Sequence, residues 1–239
     1  MGRGELVISS LPMRKILVTY ATDGTKGSYD FTPQQDRINA EVRLFGIEHF
    51  YSWTYRRLQQ TQFYVEHKEV LDDPPQGGHC LWKPYIILDA INASNPGDLI
   101  LYLDADIRVT PHAAIDKLLS IAEQRGVCLV EGGPFCNYAF VQASTLRRLD
   151  AEDSEFLNRY QLWAAISAWR ACPETVKLLQ CWLDWCCDHT LLLQQKGEEN
   201  HPDFVFHGQE QALLSILAYK EELPVLGNPE IQGFQHPTR

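Results

Sequence analysis

An α/β fold, with a mostly parallel central sheet covered by helices and a helix-rich C-terminal half, is predicted by three observations. Short β-rich runs alternate with stretches of helical spacing through residue 131. Within that alternation, GDLILYLDADIRVT (Gly97 to Thr110) carries an unbroken apolar run, as a strand covered on both faces does. Beyond it come two longer helical patterns, PETVKLLQCWLDWCCDH and GQEQALLSILAYK. A chain of 239 residues is long enough to bury one sizeable core, and a single domain is expected.

In chain order, KILVTY from Lys15 reads as a strand that ends in the turn formers of ATDGTKGSYD. Thr32 and Pro33 open a helix that stops at Gly46, because proline suits a first helical turn and glycine an end. GIEHFYSW reads as a second strand, and one long helix is expected from about Thr54 to Val70. DDPPQGGH (Asp72 to His79) breaks it with two prolines and two glycines. CLWKPYIILDAIN resumes helical spacing, and Asn95-Pro96-Gly97 turns the chain into the quoted strand. Pro111 to Gly126 reads as a helix, VCLVEGG as a strand, and QQKGEENHPD as a polar loop between the two late helices.

Charge and composition exclude several classes. Lys and Arg total 21 against 31 Asp and Glu, a formal charge of −10, so no basic field draws in nucleic acid or anionic lipid. A small phosphorylated ligand stays compatible with that charge if a cation or a few local lysines compensate. No apolar run reaches membrane-spanning length, and MGRGELVISSLP lacks the pattern of a cleaved signal, so a cytoplasmic chain is expected. Residues 1–12 read as an extension, with Met13 opening the folded part. Seven cysteines without a CxxC fit reduced thiols, and Cys181, Cys186 and Cys187 fall at helical positions that suit a core. Trp163, Trp169, Trp182 and Trp185 are read first as core and second as a sugar-stacking surface.

The chemistry concentrates at Asp104 and Asp106. In open α/β sheets ligands bind beyond the carboxyl ends of the strands, where this pair falls. Residues two apart in extended chain face the same side, so both carboxylates are expected to converge. Two such anions repel unless a cation is shared, and hard oxygen ligands suit Mg²⁺ or Mn²⁺ that keeps open positions for phosphate oxygens. The alternative is a solvated turn with Arg108 as counter-ion.

GDLILYLDAD resembles the DxD segment of GT-A glycosyltransferases, which use a nucleotide-diphosphate sugar and a divalent metal, usually Mn²⁺. LWKPYIILDAI, QLWAAISAWRACPETVKLLQCWLDWCCD and HPDFVFHGQEQALLSILAYK resemble further stretches of one branch of that superfamily, from Lys15 to Pro224. The resemblance implies a Rossmann-like GT-A domain, with 13–131 binding the nucleotide sugar and 132–239 the acceptor. It implies Asp106 as a metal contact and catalytic residue, Asp104 and Ala105 at the metal or the ribose, and Ala21, Thr22 and Asp23 at the nucleotide. Lys83 is a candidate partner for a phosphate, with a surface helix lysine as the competing reading. Glu210 stands where the family pattern has Asp, one methylene longer, and is implied as catalytic on the acceptor side with Gln211 and Gln161. The third metal ligand is implied to be a histidine, His236 in the tail or His207. The partners implied are a UDP-sugar before other donors, and a glycan or glycoconjugate acceptor.

Two other enzyme classes share parts of this pattern. KILVTYATDGT mimics the nucleophile motif of haloacid dehalogenase-type phosphatases, but Ala21 stands where the nucleophilic aspartate belongs and cannot form an aspartyl phosphate. A sugar nucleotidyltransferase would carry an arginine in the glycine-rich loop after the first strand, and GTKGSYDF has none. A nucleotide-binding domain without catalysis is the third alternative.

Overall fold

The computed structural model describes residues 12–25, 28–73, 76–227 and 230–235. Residues 1–11 of the expected extension, and His236, lie outside them. The expected strands form as β1 (Lys15–Ala21), β2 (His49–Thr54), β3 (Leu99–Leu103) and β5 (Val127–Cys136), with β4 (Arg108–Val109) a two-residue strand between. The main helices are α1 (Thr32–Glu41), α2 (Trp82–Asn92), α3 (Ile115–Arg125), α4 (Pro173–Cys187) and α5 (Gln209–Lys220). The remaining strands are β6 (Tyr160–Arg170), β7 (Val225–Leu226) and β8 (Phe234–Gln235).

Six strands make one sheet in the order β2-β1-β3-β6-β5-β7, in which β6 alone runs against its neighbours. The predicted α/β class with a mostly parallel sheet is the one observed. Period-two alternation sorts the side chains of β3. Leu99, Leu101 and Leu103 pack with Leu17, Ile38 and Leu118 on the face covered by α1 and α3. Ile100 and Tyr102 pack with Ile86, Leu179 and Leu213 on the face covered by α2, α4 and α5. Both faces are covered, which is why the strand reads as continuous apolar sequence. At its start, buried Asp98 accepts from the Arg14 amide (2.9 Å) and Arg14 Nε (2.8 Å), fixing β3 against β1.

Four expectations are corrected. The long helix from Thr54 to Val70 is three short ones, Tyr55–Leu58, Gln62–Glu66 and Lys68–Leu71. Thr54 and Thr61 are extended, and each hydroxyl accepts from the amide three residues on, so each threonine restarts the helix as a cap. The helix expected from Pro111 begins only at Ile115, because the amides of Thr110 and Ala114 donate to the carbonyls of Gly233 and Gln232 in the C-terminal tail. The helix-rich second half also contains an eleven-residue strand, β6. And the alternation expected to place both aspartates on one side stops after Asp104: Asp104–Ile107 is a turn, with the Ile107 amide donating to the Asp104 carbonyl at 3.1 Å.

That turn is clamped from α1. Arg37 Nη2 donates to the carbonyls of Ala105 (3.3 Å), Asp106 (3.3 Å) and Ile107 (2.8 Å), while its Nε faces Glu41 at 3.3 Å. Glu41 in turn accepts from the Val109 amide at 2.8 Å. On the far side β8 pairs antiparallel with β4, Gln235 opposite Arg108. Gly233 makes the approach possible: its φ is +85°, and a Cβ there would come within 2.4 Å of Ala113 Cα. Replacing Arg37 with Ala removes the shared donor of three carbonyls. We predict a loss of about 1–3 kcal/mol of stability by denaturant titration. A loss under about 0.5 kcal/mol would mean that the clamp contributes nothing to holding the turn.

Candidate active site

Tyr102 and Asp104 share a strand parity, so Asp104 leaves β3 toward the face that α2 and α5 cover. The Tyr102 hydroxyl donates to Asp104, and Lys83 Nζ from α2 lies 3.3 Å from the same carboxylate oxygen. Lys83 Nζ is also 2.9 Å from Glu210 Oε1, at the start of α5. Lys83 is 2% exposed and Glu210 4%, so this is a buried lysine rather than the surface residue of the competing reading.

The charges are unequal. Burial pulls the Lys83 ammonium down, but Asp104 and Glu210 together hold it well above the ordinary lysine value, so it stays charged. Burial pushes the Glu210 carboxyl up, and Lys83 offsets this only in part because Asp104 adds like charge. The Cys80 thiol, raised by burial and by Glu210, stays protonated beside it.

These groups line one cavity of about 540 Å³ together with Asp106, Ala105, Thr22 and Gln211. First-half residues Tyr29 and Phe31 and second-half residues Trp163, Phe206 and Gln209 also line it. Within it Tyr20 stacks on Trp82 with centroids 3.8 Å apart.

The other sequence candidates fall as follows. Ala21 ends β1 and is buried. Asp23 is outside the cavity lining and accepts from Thr25 and from the Arg56 amide (3.1 Å), so its carboxylate shapes the loop. Gln211 Nε2 donates to Gln161 Oε1 at 2.9 Å, and Gln161 Nε2 to the Phe140 carbonyl at 3.2 Å, which makes Gln161 a buried support for Gln211. His207 is buried with both nitrogens occupied: Nδ1 accepts from the Gln142 amide (3.3 Å) and Nε2 donates to the Leu191 carbonyl (2.8 Å). That leaves it no lone pair for a metal. Among the described residues no group of three His, Cys, Asp or Glu side chains is disposed to hold a metal ion. Of the tryptophans, Trp169 and Trp182 are core, and Trp163 borders the cavity. None of the seven cysteines, all among the described residues, is in a disulfide, and no helix among the described residues is long and apolar enough to cross a membrane.

One part of the site was not foreseen. Gly77, Gly78, His79 and Cys80 have φ of 62°, 91°, 51° and 54°, a left-handed turn along the cavity. A Cβ on Gly78 would lie 2.7 Å from Leu71 Cα, so glycine is required there. His79 Nε2 meets Asp73 at 2.9 Å and its Nδ1 meets Gln209 Nε2 at 2.7 Å. Gln209 has φ of 53° and directly precedes Glu210, so this chain ties the strained turn to the helix start that carries Glu210. GGH ahead of LWK was the available sign, read only as a helix breaker.

Burial pushes the His207 imidazole down to about 4. The unfolded chain therefore binds a proton more readily than the folded one between that value and an ordinary histidine's, and stability falls as pH drops through this window. The expected contribution is roughly 3 kcal/mol. Denaturant titrations across the window should show a shallower fall for His207→Gln than for the parent; equal slopes would contradict a neutral buried imidazole.

No protein-family model and no curated protein sequence matches the chain. Among solved structures it is similar to a glycosyltransferase involved in glycosylation of the major capsid of PBCV-1, at 10% identity over 91% of this chain and 82% of the other, TM-score 0.45. It is also similar to mouse xyloside xylosyltransferase 1, at 9% identity over 90% and 85%, TM-score 0.46. A third is 4-diphosphocytidyl-2C-methyl-D-erythritol synthase from Anaerococcus prevotii, at 10% identity over 90% and 87%, TM-score 0.40. Likenesses of this size do not decide an activity.

Proposed function

We propose that the chain is a glycosyltransferase that moves a sugar from a nucleotide-diphosphate sugar, a UDP-sugar before others, to an acceptor hydroxyl. One observation carries the reading. Asp104 and Asp106, beyond the carboxyl end of β3, share a cavity with a buried lysine and a buried glutamate from elements far apart in sequence.

Asp104 and Glu210 share the single Lys83 ammonium there, an excess of carboxylate within that trio that suits a divalent cation, and Asp106 lines the same cavity. Hard carboxylate oxygens fit Mn²⁺ or Mg²⁺. With only Asp106 and Asp104 as described donors, the remaining positions fall to ligand phosphate oxygens, with His236 the candidate third protein ligand. The tail that leads to His236 is pinned beside the Asp104–Ile107 turn by β8. Such a cation, when bound, supplies charge compensation for the departing diphosphate.

The chain's own residues do the rest. Arg37 and Glu41 hold the Asp106 turn in place before ligand arrives. Lys83 and Tyr102 orient the Asp104 carboxylate. Thr22, Tyr29 and Phe31 border the side on which the nucleotide enters. Glu210, expected on the acceptor side and away from the nucleotide, shares its lysine with Asp104, so it is assigned to the transferred sugar between donor and acceptor. There its carboxylate accepts from a sugar or acceptor hydroxyl.

Calorimetry with UDP, GDP and dTDP tests the donor site. At least one should bind about tenfold or more tightly with Mn²⁺ than with chelator, and Asp106→Asn should erase that difference. Equal affinity in both conditions would remove the metal. With the donor so found, Glu210→Gln should cut turnover by about 100-fold or more at donor affinity within about threefold. Unchanged turnover would leave Glu210 a structural residue. Pyrophosphate released from a nucleoside triphosphate and a sugar phosphate would point to a nucleotidyltransferase instead.

A further inference from the structure

The second-half rim of the cavity is apolar and exposed. Phe135, at the end of β5, is 53% exposed and Phe206 is 49% exposed. Phe140 lies between them, its ring edge-on to Phe135 at 5.5 Å and to Phe206 at 5.0 Å. Val205, 65% exposed, precedes Phe206 in the chain. Phe206 also lines the cavity that holds Asp106 and Glu210. The ladder of three rings therefore starts inside the candidate site and runs outward onto the surface.

It is held rigidly. The Val205 amide donates to the Ala139 carbonyl at 2.9 Å, and the Gly208 amide to the Phe140 carbonyl at 2.8 Å. These two bonds staple the 205–208 segment to the turn Asn137–Phe140, so the rings are in place before a ligand binds. Water-exposed aromatic surface gains free energy in proportion to the apolar area that a ligand covers.

The cavity volume bears on which ligand does so. About 540 Å³ is the size that one small molecule fills. A nucleotide sugar in that space leaves the second substrate to reach in from the rim. The floor is charged and the second-half rim is phenyl and isopropyl, so a molecule that satisfies both carries a hydroxyl at one end and apolar surface at the other.

Resting on the transferase reading above, we propose that the acceptor is a small amphipathic molecule, a hydroxyl-bearing head joined to an aryl or alkyl group, with that group lying on Phe206, Phe140 and Phe135. In the transfer its hydroxyl oxygen bonds to the anomeric carbon as the bond from that carbon to the diphosphate oxygen breaks. The hydroxyl proton leaves to a base or to solvent, and the diphosphate takes the electron pair.

The experiment compares methyl, octyl and p-nitrophenyl glycosides of one sugar as acceptors for the full chain. In parallel, it measures binding of the fluorescent apolar probe N-phenyl-1-naphthylamine. Octyl and p-nitrophenyl glycosides should show KM at least about tenfold below the methyl glycoside. Phe135→Ser should bring the three values together and weaken the probe. Leu44→Ser, at an exposed leucine on the 3₁₀ turn after α1, should change neither measurement. Turnover with equal KM for all three acceptors, and no saturable probe binding, overturns the proposal in favour of a purely sugar acceptor. Probe binding that Phe135→Ser weakens, with no turnover of any sugar donor, overturns the transferase reading while the apolar site stands. Neither binding nor turnover overturns both.

Discussion

The buried ammonium of Lys83 is the constraint around which the site is arranged. Asp104 leaves the end of β3 and Glu210 the start of α5, more than a hundred residues apart, and both carboxylates close on one nitrogen. Leaving the Lys83 ammonium or the Glu210 carboxylate buried without its partner would cost about 3–5 kcal/mol. The chain must therefore bring α2, β3 and α5 into one place or lose a large part of its stability. The parity of β3 makes this possible, since Tyr102 and Asp104 face the layer in which α2 and α5 pack.

Within that trio two carboxylates share one ammonium, and Asp106 lines the same cavity, which connects structure to chemistry. Lys83 is satisfied within the protein, so it orients Asp104 instead of waiting for a phosphate. Asp106 is placed by other means: Arg37 holds the turn's carbonyls, Glu41 its outgoing amide, and β8 covers β4 just beyond it. Two independent devices thus prepare two carboxylates, one inside a charge network and one on a clamped turn. The left-handed turn of Gly77–Cys80 and its Asp73–His79–Gln209 chain add a third, fixing the approach to Glu210. Backbone strain kept at a cavity wall is maintained only where its surroundings over-determine it.

Much of the fold was legible because its signals are local. β1 and β3 end in turn formers, α4 and α5 show helical spacing, and glycines mark the ends of α3 and of the 3₁₀ turn after α1. β6 was not legible: eight of its eleven residues are buried, so it shows no alternation, and its alanines suit helix as well as strand. The break at Thr61 was hidden because a threonine inside apolar periodicity does not reveal that it caps. Within the site, Asp104 and Asp106 announced themselves by following an apolar strand. Glu210 was found only by resemblance. Lys83 as the bridge, Arg37 as the clamp and His79 as the tie were out of reach: Arg37 reaches a carbonyl 68 positions on, His79 pairs with Gln209 130 positions on from a strained turn, and Lys83 joins Asp104 on β3 to Glu210 on α5.

A double-mutant cycle between Lys83 and Glu210, read by equilibrium denaturation of the parent, Lys83→Met, Glu210→Gln and the double variant, tests this account most directly. Lys83→Met leaves two carboxylates without their cation and is expected to lose about 3–5 kcal/mol. Adding Glu210→Gln to it should cost nothing further or restore stability, so that the two changes are non-additive by more than about 1 kcal/mol. Strict additivity would mean that the ammonium and the glutamate do not interact, and the buried bridge that organises the site would be contradicted.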